Sequence, residues 1–476
     1  MALDKVVDSA VLDAGMTVVA DAIRAKAGIT DQLVWPEGFK TAVDGIQTGG
    51  SGSTSEPLDP VEVYNNTRPS DWLTMPTPAE NEMYLLFHIP DGVSSLLAFT
   101  VTCTGNYTVA LGTVSGGSFV ASSSVDIASG SKYEAELFAD DYGNLTSDGH
   151  KQVMVKVSGT DILTWDPSTH SKKTSPSKFA GWNIIEISCN LPSGKKVACG
   201  NNQNTLALKK LQYFTWIGKN AVTSMGYMFQ NCYSLMAVPQ LDTSAVTNMS
   251  GMFNTCDSLT AIPLLDTSAV TNMGYMFNNC DSLTAIPQLD TSAVTDMSSM
   301  FNNCYSLTAI PQLDTSAVTN VSYMFNNCNS LTAVQQLDTS AVTSMSYMFQ
   351  NCYSLMAVPQ LDTSAVTNMS YMFQNCYALT AIPQLDTSAV TNMGSMFNNC
   401  YSLTSIALDN TVTGWDGYDI ALNECSLGHT AIVAFFNSLP TITSAKAITL
   451  TGNPGVSELT DAEKAIATEK GWTLTL

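Results

Sequence analysis

Eight cysteines recur at intervals of 24 residues in the second half of the chain, without a single shift in register. They are Cys232, Cys256, Cys280, Cys304, Cys328, Cys352, Cys376 and Cys400. Each lies in the same phrase, which reads LTAIPLLDTSAVTNMGYMFNNCDS over residues 259–282. A fixed period of this length predicts a solenoid, in which each repeat forms one turn and stacks on its neighbours. A solenoid offers a long surface of similar positions, which favours a binding function over catalysis.

Charge narrows the class of partner. The formal net charge is −22, and no Lys or Arg occurs from residue 221 to residue 445. Because nucleic-acid binding needs clustered basic residues, we expect no nucleic-acid partner, and an anionic membrane surface is disfavoured for the same reason. No apolar stretch approaches the roughly 18 residues of a membrane span, so no membrane insertion is expected. The first residues lack the apolar core of a secretory signal, so we expect no Sec export.

Composition divides the chain into five segments. Residues 1–48 are predicted to form a short helical head, followed by a flexible Gly- and Ser-rich linker at residues 49–56. Residues 57–200 contain β-branched and aromatic runs between turn residues, which predicts an antiparallel β-sandwich. Residues 201–408 hold the repeats, and residues 409–476 break the period, as expected of a C-terminal cap. The predicted fold class is therefore mainly β with short helical turns, with the sandwich and the head preceding the solenoid.

Several runs are specific enough to be predicted as individual elements. In the cap, residues 431–439 have a helical pattern and residues 447–451 and 472–476 are strand-like. In the sandwich, the predicted strands are residues 83–89, 96–103, 106–111, 133–138, 152–157 and 183–189.

One repeat is predicted to contain three local structures. Leu259–Leu265 is expected to form a short parallel strand, residues 266–268 a turn, and Tyr275–Cys280 a helical turn. Two positions vary between repeats: the residue after each cysteine and the residue two before each phenylalanine. We expect both varying positions to be exposed in every repeat.

Two of the repeated residue types have both a structural and a functional interpretation. The cysteines could bind a metal or form disulfides between turns, but no His lies between His170 and His429, which favours buried thiols that pack as small apolar groups. The repeated aspartates could bind calcium, but one carboxylate a turn favours a role in capping the turn through backbone amides. No metal or other cofactor is expected. The aspartates are Asp242, Asp266, Asp290, Asp314, Asp338, Asp362 and Asp386.

Tyrosines at the varying positions are the candidate ligand-binding residues. They are Tyr323, Tyr347, Tyr353, Tyr371 and Tyr377, on three consecutive repeats. Tyrosine is common in binding surfaces because it adds rigid amphipathic area at little entropic cost. Stacking of one tyrosine on the next to stabilise the solenoid is an equally good interpretation, and the sequence leaves both open.

Catalysis has no sequence support. The four histidines, His88, His150, His170 and His429, are scattered, and no GxSxG, HExxH or phosphate-loop motif is present. We therefore expect that the protein is not an enzyme.

The repeat resembles a known family. The phrase SLTAIPQLDTSAVTNVSYMFNNC at residues 306–328 is similar to the BspA-type, or Treponema-type, leucine-rich repeats, and the resemblance covers residues 225–408. It implies a leucine-rich-repeat solenoid that is used for adhesion to proteins or glycans.

The N-terminal part resembles another group. The segment LDKVVDSAVLDAGMTVVADAIRAKAGITDQLVWPEGFKTAV at residues 3–43 is similar to the N-termini of tail proteins of phages that infect Gram-positive bacteria. Residues 68–72 and 103–109 resemble a PKD-type immunoglobulin-like module, although residues 110–113 read ALGT where that module has Trp-Gly-Asp-Gly. This resemblance implies a virion protein whose head attaches to other tail proteins.

Together, the two resemblances give the predicted function. We expect a phage tail-fibre or receptor-binding protein that attaches to a bacterial surface glycan or protein, and self-association, for example as a trimer, is compatible with that role. The alternative is a bacterial cell-surface adhesin that binds host proteins.

Overall fold

A largely antiparallel sheet precedes the repeats and continues into them. The computed structural model describes residues 58–143, 145–167, 183–200, 208–406, 408–409 and 419–476. Residues 57–476 form one compact unit. The predicted head and linker lie outside the described residues, as does His170.

The described chain begins with helix α1, Pro60–Thr67, whose N-terminus is capped by the Asp59 side chain. The helix docks through buried Glu186, which accepts hydrogen bonds from Tyr64 Oη at 2.7 Å and Arg68 Nε at 2.9 Å. The strands that follow are β1 Glu82–Pro90, β2 Ser94–Ser115, β3 Ser118–Ala128, β4 Lys132–Phe138, β5 His150–Asp166, β6 Ile184–Asn190 and β7 Lys196–Val197. A short 3-10 helix, Ala139–Asp141, lies between β4 and β5.

These strands belong to one hydrogen-bonded sheet. With strands β8, Tyr213–Trp216, and β9, Ala237–Gln240, its order is β3-β2-β5-β1-β6-β8-β9, with β4 paired to β2 and β7 paired to β5. The first part of β2 pairs with β4 and the last part with β3, and its pairing with β5 shifts register between Thr102 and Tyr107. The long strand β2 therefore pairs with both β3 and β4 along one edge. As a result, the predicted antiparallel strands belong to a single sheet.

The sheet changes from antiparallel to parallel at β6. Strand β8 pairs in parallel with both β6 and β9, so it forms the first rung of the solenoid. Its Phe214 is fully buried, as are Leu208 and Leu211 just before it. One apolar core runs through the sheet, the repeats and the cap.

The predicted strand at Leu259–Leu265 is wrong, because the segment meets its neighbour at one bridge, between Ala237 and Ala261. Pro263, which lacks a backbone N–H group, cannot donate to a ladder. Beyond β9, the strands assigned in the described repeats are the parallel pair β10, Leu385–Asp386, and β11, Leu408–Asp409.

The predicted helical turn at Tyr275–Cys280 is also wrong, because this segment holds the main ladder between rungs. The N–H groups of Tyr275, Phe277 and Asn279 donate to carbonyls of the following rung at 2.8–2.9 Å. The intervening N–H groups bond three residues back, at 3.1–3.2 Å. Tyr275 and Asn279 have φ angles of 61° and 57°, in the left-handed region, which stops a right-handed helix from continuing.

Columns of identical side chains fill the solenoid core. Phenylalanine rings from eight turns stack with centroid separations of 5.4–6.0 Å, from Phe229 to Phe397. From Cys256 to Cys400, each repeat thiol donates to a phenylalanine carbonyl of the preceding rung at 3.0–3.2 Å. All twelve cysteines are free and buried, which confirms the buried-thiol interpretation, and burial raises the pKa of Cys304 to about 12.

The cap closes the apolar end of the array with a parallel sheet and two helices. The elements are β12 Ile420–Ala421, α2 His429–Ser438, β13 Lys446–Thr449, a 3-10 helix Pro454–Glu458, α3 Asp461–Thr468 and β14 Trp472–Thr475. Strands β12, β13 and β14 lie side by side, and Trp472 in β14 is buried. The helix and the two strands predicted in this region are confirmed, whereas helix α3, with its Thr460–Glu463 capping box, was not predicted. Among the described residues, no helix is both long and apolar enough to cross a bilayer.

Candidate functional site

The repeated aspartates cap turns, as predicted. In Asp338, Oδ1 accepts hydrogen bonds from the backbone N–H of Ser340 at 3.0 Å and from its hydroxyl at 2.7 Å. The same pair of bonds recurs in five other repeats, and Asp386 accepts from the Ser388 N–H group at 2.8 Å. These bonds hold the pKa of Asp338 below its ordinary value, with the serine hydroxyl as the largest cause.

A polar groove runs beside this line of turns. Its volume is about 650 Å³, and it is lined by Gln336, Gln360 and Gln384 and by three of the capping aspartates. Gln336 Nε2 and Gln360 Nε2 each donate to a backbone carbonyl of the next rung, at 2.6 and 2.8 Å. The amide oxygens and second carboxylate oxygens remain as acceptors, so the groove suits a ligand rich in hydrogen-bond donors. The glutamine at one fixed repeat position was the sequence signal for this groove, and it was missed.

Three of the predicted tyrosines form the first tyrosine column, Tyr323, Tyr347 and Tyr371. Adjacent rings stack with centroids 4.4 and 4.6 Å apart and planes within 12° of each other. All three residues have φ angles of 59–60°, in the left-handed region. The backbone is left-handed at this position in every turn, which strains every residue there except Gly251, and the stacked rings join the turns that carry tyrosine.

The prediction that this position is exposed in every repeat is wrong. Ser299 is only 4 % exposed, and Gly251 is also buried. A Cβ atom on Gly251 would lie 2.5 Å from the ring of Tyr227, so the ring of one turn covers the residue of the next. The ring of Tyr227 thus accounts for the burial of Gly251.

The other two predicted tyrosines belong to the second tyrosine column, Tyr353, Tyr377 and Tyr401. Their centroids are 4.7 and 4.9 Å apart, and all three side chains are exposed. Tyr401 was not among the predicted residues, although it occupies the same repeat position. The five predicted tyrosines stack on one another within their columns, which confirms the structural interpretation, whereas the Tyr401 ring is tilted by 31° from that of Tyr377. Ligand binding by these tyrosines stays a prediction.

Stacking decides which part of each ring a ligand could reach. The inner rings of a column, Tyr347 and Tyr377, have a neighbour on both faces. Only ring edges and phenol hydroxyls are accessible there, and full ring faces are accessible only at the column ends.

Two carboxylates occupy earlier turns at the position of the second tyrosine column. Burial raises the pKa of Asp257, and burial together with the negative charge of Asp257 raises the pKa of Asp281 to about 6. Burial of both carboxylates, and for Asp281 also the negative charge on the rung before it, therefore disfavours their charged forms.

A third cluster lies in the antiparallel sheet. Ligand atoms of His88, Asp148 and His150 lie within 4.8 Å of one another, a set that could hold a metal ion. However, the Gln152 amide nitrogen lies 2.7 Å from His88 Nε2, and the His88 and His150 rings stack at 5.2 Å with planes 25° apart. A metal lies in the plane of the imidazole that binds it, and two nearly parallel planes do not converge on one ion. The arrangement fits a hydrogen-bonded cluster better, and burial lowers the pKa of His88 to about 4.

Comparison with known proteins finds one family model and several solved structures that are similar to parts of this chain. Residues 223–333 and 305–415 match the family described as "Mycoplasma protein of unknown function, DUF285". No curated protein matches the chain. A leucine-rich repeat protein from Eubacterium ventriosum is 16 % identical, with a TM-score of 0.25 over 54 % of this chain and 87 % of that one.

Two receptor complexes are also similar. The TLR13–ssRNA13 complex is 13 % identical, with a TM-score of 0.21 over 57 % of this chain and 47 % of that one. The plant peptide hormone receptor RGFR1, solved in complex with RGF2, is 14 % identical, with a TM-score of 0.23 over 56 % of this chain and 55 % of that one. The match spans about half the length of each receptor chain.

Proposed function

We propose that the chain is an adhesion protein whose solenoid binds a glycan or protein on a bacterial surface, and that it serves as a phage tail-fibre or receptor-binding protein. The observation that supports adhesion is the pair of tyrosine columns on a solenoid without Lys or Arg from residue 221 to residue 445. Tyrosine edges and hydroxyls offer apolar contact and hydrogen bonds together, which suits recognition of neutral polar ligands.

The charge of this surface defines the partner further. The groove beside the capping aspartates offers acceptors and carboxylates, and no cation lines it. A neutral or basic partner is therefore favoured. Binding to a neutral glycan should depend only weakly on salt, since screening acts on pairs of charges.

Support for the phage assignment comes from the sequence alone. Residues 3–43 resemble the N-termini of phage tail proteins, and residues 68–72 and 103–109 resemble a PKD-type immunoglobulin-like module. In this assignment the head attaches the chain to the virion and the solenoid contacts the host. The alternative is an adhesin displayed on a bacterial surface.

Adhesion is tested by incubating the fluorescently labelled full chain with cell walls from a panel of Gram-positive bacteria, at low and high salt. We expect saturable binding to some walls and little change with salt. The double variant Tyr347→Ser and Tyr371→Ser should bind more weakly. The control Tyr275→Ser should bind as the parent does, because Tyr275 lies outside both columns and stacks on no ring among the described residues. Failure to bind any wall would remove the adhesion proposal.

The two locations are separated by a second experiment. Phage particles are induced from the bacterium that carries the gene, purified and analysed by mass spectrometry, while intact cells are labelled with antibody. The phage assignment predicts the chain in the particles. Surface labelling without particle incorporation would favour the adhesin.

A further inference from the structure

The second tyrosine column has an open gap on its N-terminal side. Tyr305 occupies the same repeat position two rungs before Tyr353, and Asn329 lies between them. The backbone stays in register across the gap: Ser330 Oγ donates to the Tyr305 carbonyl at 2.8 Å, and the Ser354 N–H group donates to the Asn329 carbonyl at 3.2 Å. Because Asn329 has no aromatic ring, the series of tyrosine rings at this repeat position is interrupted at one rung.

The width of the gap follows from the column itself. One rung separates Tyr353 from Tyr377, whose centroids are 4.7 Å apart, so an evenly spaced column places rings two rungs apart at about twice that distance. Carbon atoms in contact are about 3.5–4.0 Å apart. At that spacing, the gap between the Tyr305 and Tyr353 side chains has room for one flat or chair-shaped six-membered ring.

Polar groups lie at the base and rim of the gap. The Asn329 amide is satisfied when its nitrogen donates to the carbonyls of Asn351 at 2.9 Å and Asn327 at 3.3 Å, which leaves Oδ1 as an acceptor. Tyr305 and Tyr353 are 41 % and 38 % exposed and add two phenol hydroxyls. Rings on both sides and hydroxyl-binding groups around them match a sugar, which has apolar C–H faces and a polar edge.

We propose that the slot formed by Tyr305, Asn329 and Tyr353 binds one neutral pyranose residue of a bacterial surface polysaccharide. A charged sugar acid is disfavoured because Asp281 occupies the rung before Tyr305 and no cation lies on these turns. The corresponding gap in the first tyrosine column is closed, since Ser299 there is only 4 % exposed. This inference rests on the proposed adhesion function and adds the ligand class and the site.

The test uses saturation-transfer NMR on the full chain, with the methyl glycosides of glucose, galactose, N-acetylglucosamine and rhamnose as probes. The key variant is Asn329→Tyr, which fills the slot with the residue that five sister turns carry. It should fold with a melting temperature at or above that of the parent and lose the glycoside signal. Tyr305→Ala and Tyr353→Ala should each weaken binding by about tenfold or more, the loss of one stacking face.

A matched control keeps the slot intact. Tyr275→Ser removes an exposed tyrosine that lies outside both columns and introduces the residue that Ser299 and Ser395 carry at the same repeat position, so it should retain binding. The proposal is overturned if no glycoside gives a signal, or if Asn329→Tyr binds as the parent does. It is also overturned if N-acetyltyrosinamide binds in the slot and the glycosides do not, which would indicate an aromatic peptide instead.

The same variant separates this proposal from the function on which it rests. If the parent and Asn329→Tyr adhere equally to bacterial walls, adhesion stands and the slot is wrong. If glycosides bind in the slot but the parent adheres to no wall, the slot stands and the adhesion function is wrong.

Discussion

The antiparallel sheet and the solenoid share one core, yet they are held together by different means. In the sheet, β1 exchanges backbone hydrogen bonds with β5 and β6 along most of its length, and its side chains meet unlike partners such as His88 with Gln152. In the solenoid, extended strands are few, and the same residue meets itself from turn to turn. The comparison shows that one core can join an aperiodic unit to a periodic one.

An asparagine column illustrates the periodic part. Nδ2 of Asn303 donates to Oδ1 of Asn279 at 2.6 Å, and the bond repeats up to Asn399, where it is 2.8 Å. These residues have positive φ angles of 57–61°, which asparagine tolerates better than most residues. A polar residue in the solenoid is therefore satisfied by its own copies, so the effect of replacing it should stay near its rung.

The largest expected effect is loss of one ring from the phenylalanine column. Phe325→Ala removes a fully buried ring that stacks on Phe301 and Phe349 at 5.7 and 5.6 Å, and it should cost about 3–5 kcal/mol. Because each turn contacts only its neighbours, hydrogen exchange should accelerate first in the adjacent rungs.

A matched change in the sheet sharpens the comparison. Phe87→Ala, also at a fully buried position, should accelerate exchange across β1, β5 and β6 together, because these strands share continuous ladders. If the two variants accelerated hydrogen exchange over equally long stretches of the chain, the proposed difference between the sheet and the solenoid would be contradicted.

The second effect is a pH dependence confined to the sheet. His88 has a pKa of about 4 in the folded chain, mainly because of burial, against an ordinary value near 6.5. Because the folded chain keeps His88 neutral, this residue does not reduce the free energy of unfolding above about pH 6.5. As pH falls from 6.5 towards 4, the unfolded chain gains a proton at His88 that the folded chain does not, and the free energy of unfolding falls by about 3 kcal/mol. Urea unfolding at pH 7 and pH 4 should show a smaller pH effect in His88→Gln than in the parent. An unchanged pH effect would refute this role.

The third effect concerns the first tyrosine column. Tyr347→Ser removes two stacked contacts and should cost about 1–3 kcal/mol, since one aromatic pair contributes about 0.5–1.5 kcal/mol. Serine is chosen because Ser299 and Ser395 adopt the same left-handed conformation. The control Tyr275→Ser should have a smaller effect on thermal unfolding, and a loss equal to that of Tyr347→Ser would argue against stabilisation by stacking.

The smallest effect has the opposite sign to that of His88. The pKa of Asp281 is raised to about 6 by burial and by Asp257, so ionisation costs stability above pH 6 and the cost disappears as pH falls towards 4. Asp281→Asn should stabilise the chain by about 1 kcal/mol or less at pH 7.5, after allowance for solvent screening, and should have little effect at pH 4. Denaturant unfolding at the two pH values measures the difference. Destabilisation at pH 7.5 would show that the carboxylate is needed in its charged form.

Prediction from sequence succeeded where patterns were regular. Residues 83–89 are mostly apolar and form β1 over Glu82–Pro90, and residues 133–138 fall within β4. Strand β3, Ser118–Ala128, was missed because its residues are almost all exposed and serine-rich, so no apolar alternation marks it. The two predicted strands at residues 96–103 and 106–111 are one strand, β2, since the turn-like residues between them lie at a register shift within a continuous ladder.

The sequence by itself determined the period, the core positions and the capping role of the aspartates, because each depends on local chemistry repeated every 24 residues. Only the tertiary structure decided how neighbouring copies meet. The left-handed residues at Tyr275 and Asn279, the stacking of Tyr347 between two rings and the open gap at Asn329 depend on the contacts of one turn with the next. A period specifies which residues align in a stack, whereas the direction of each ring and the space beside it are set by packing between turns.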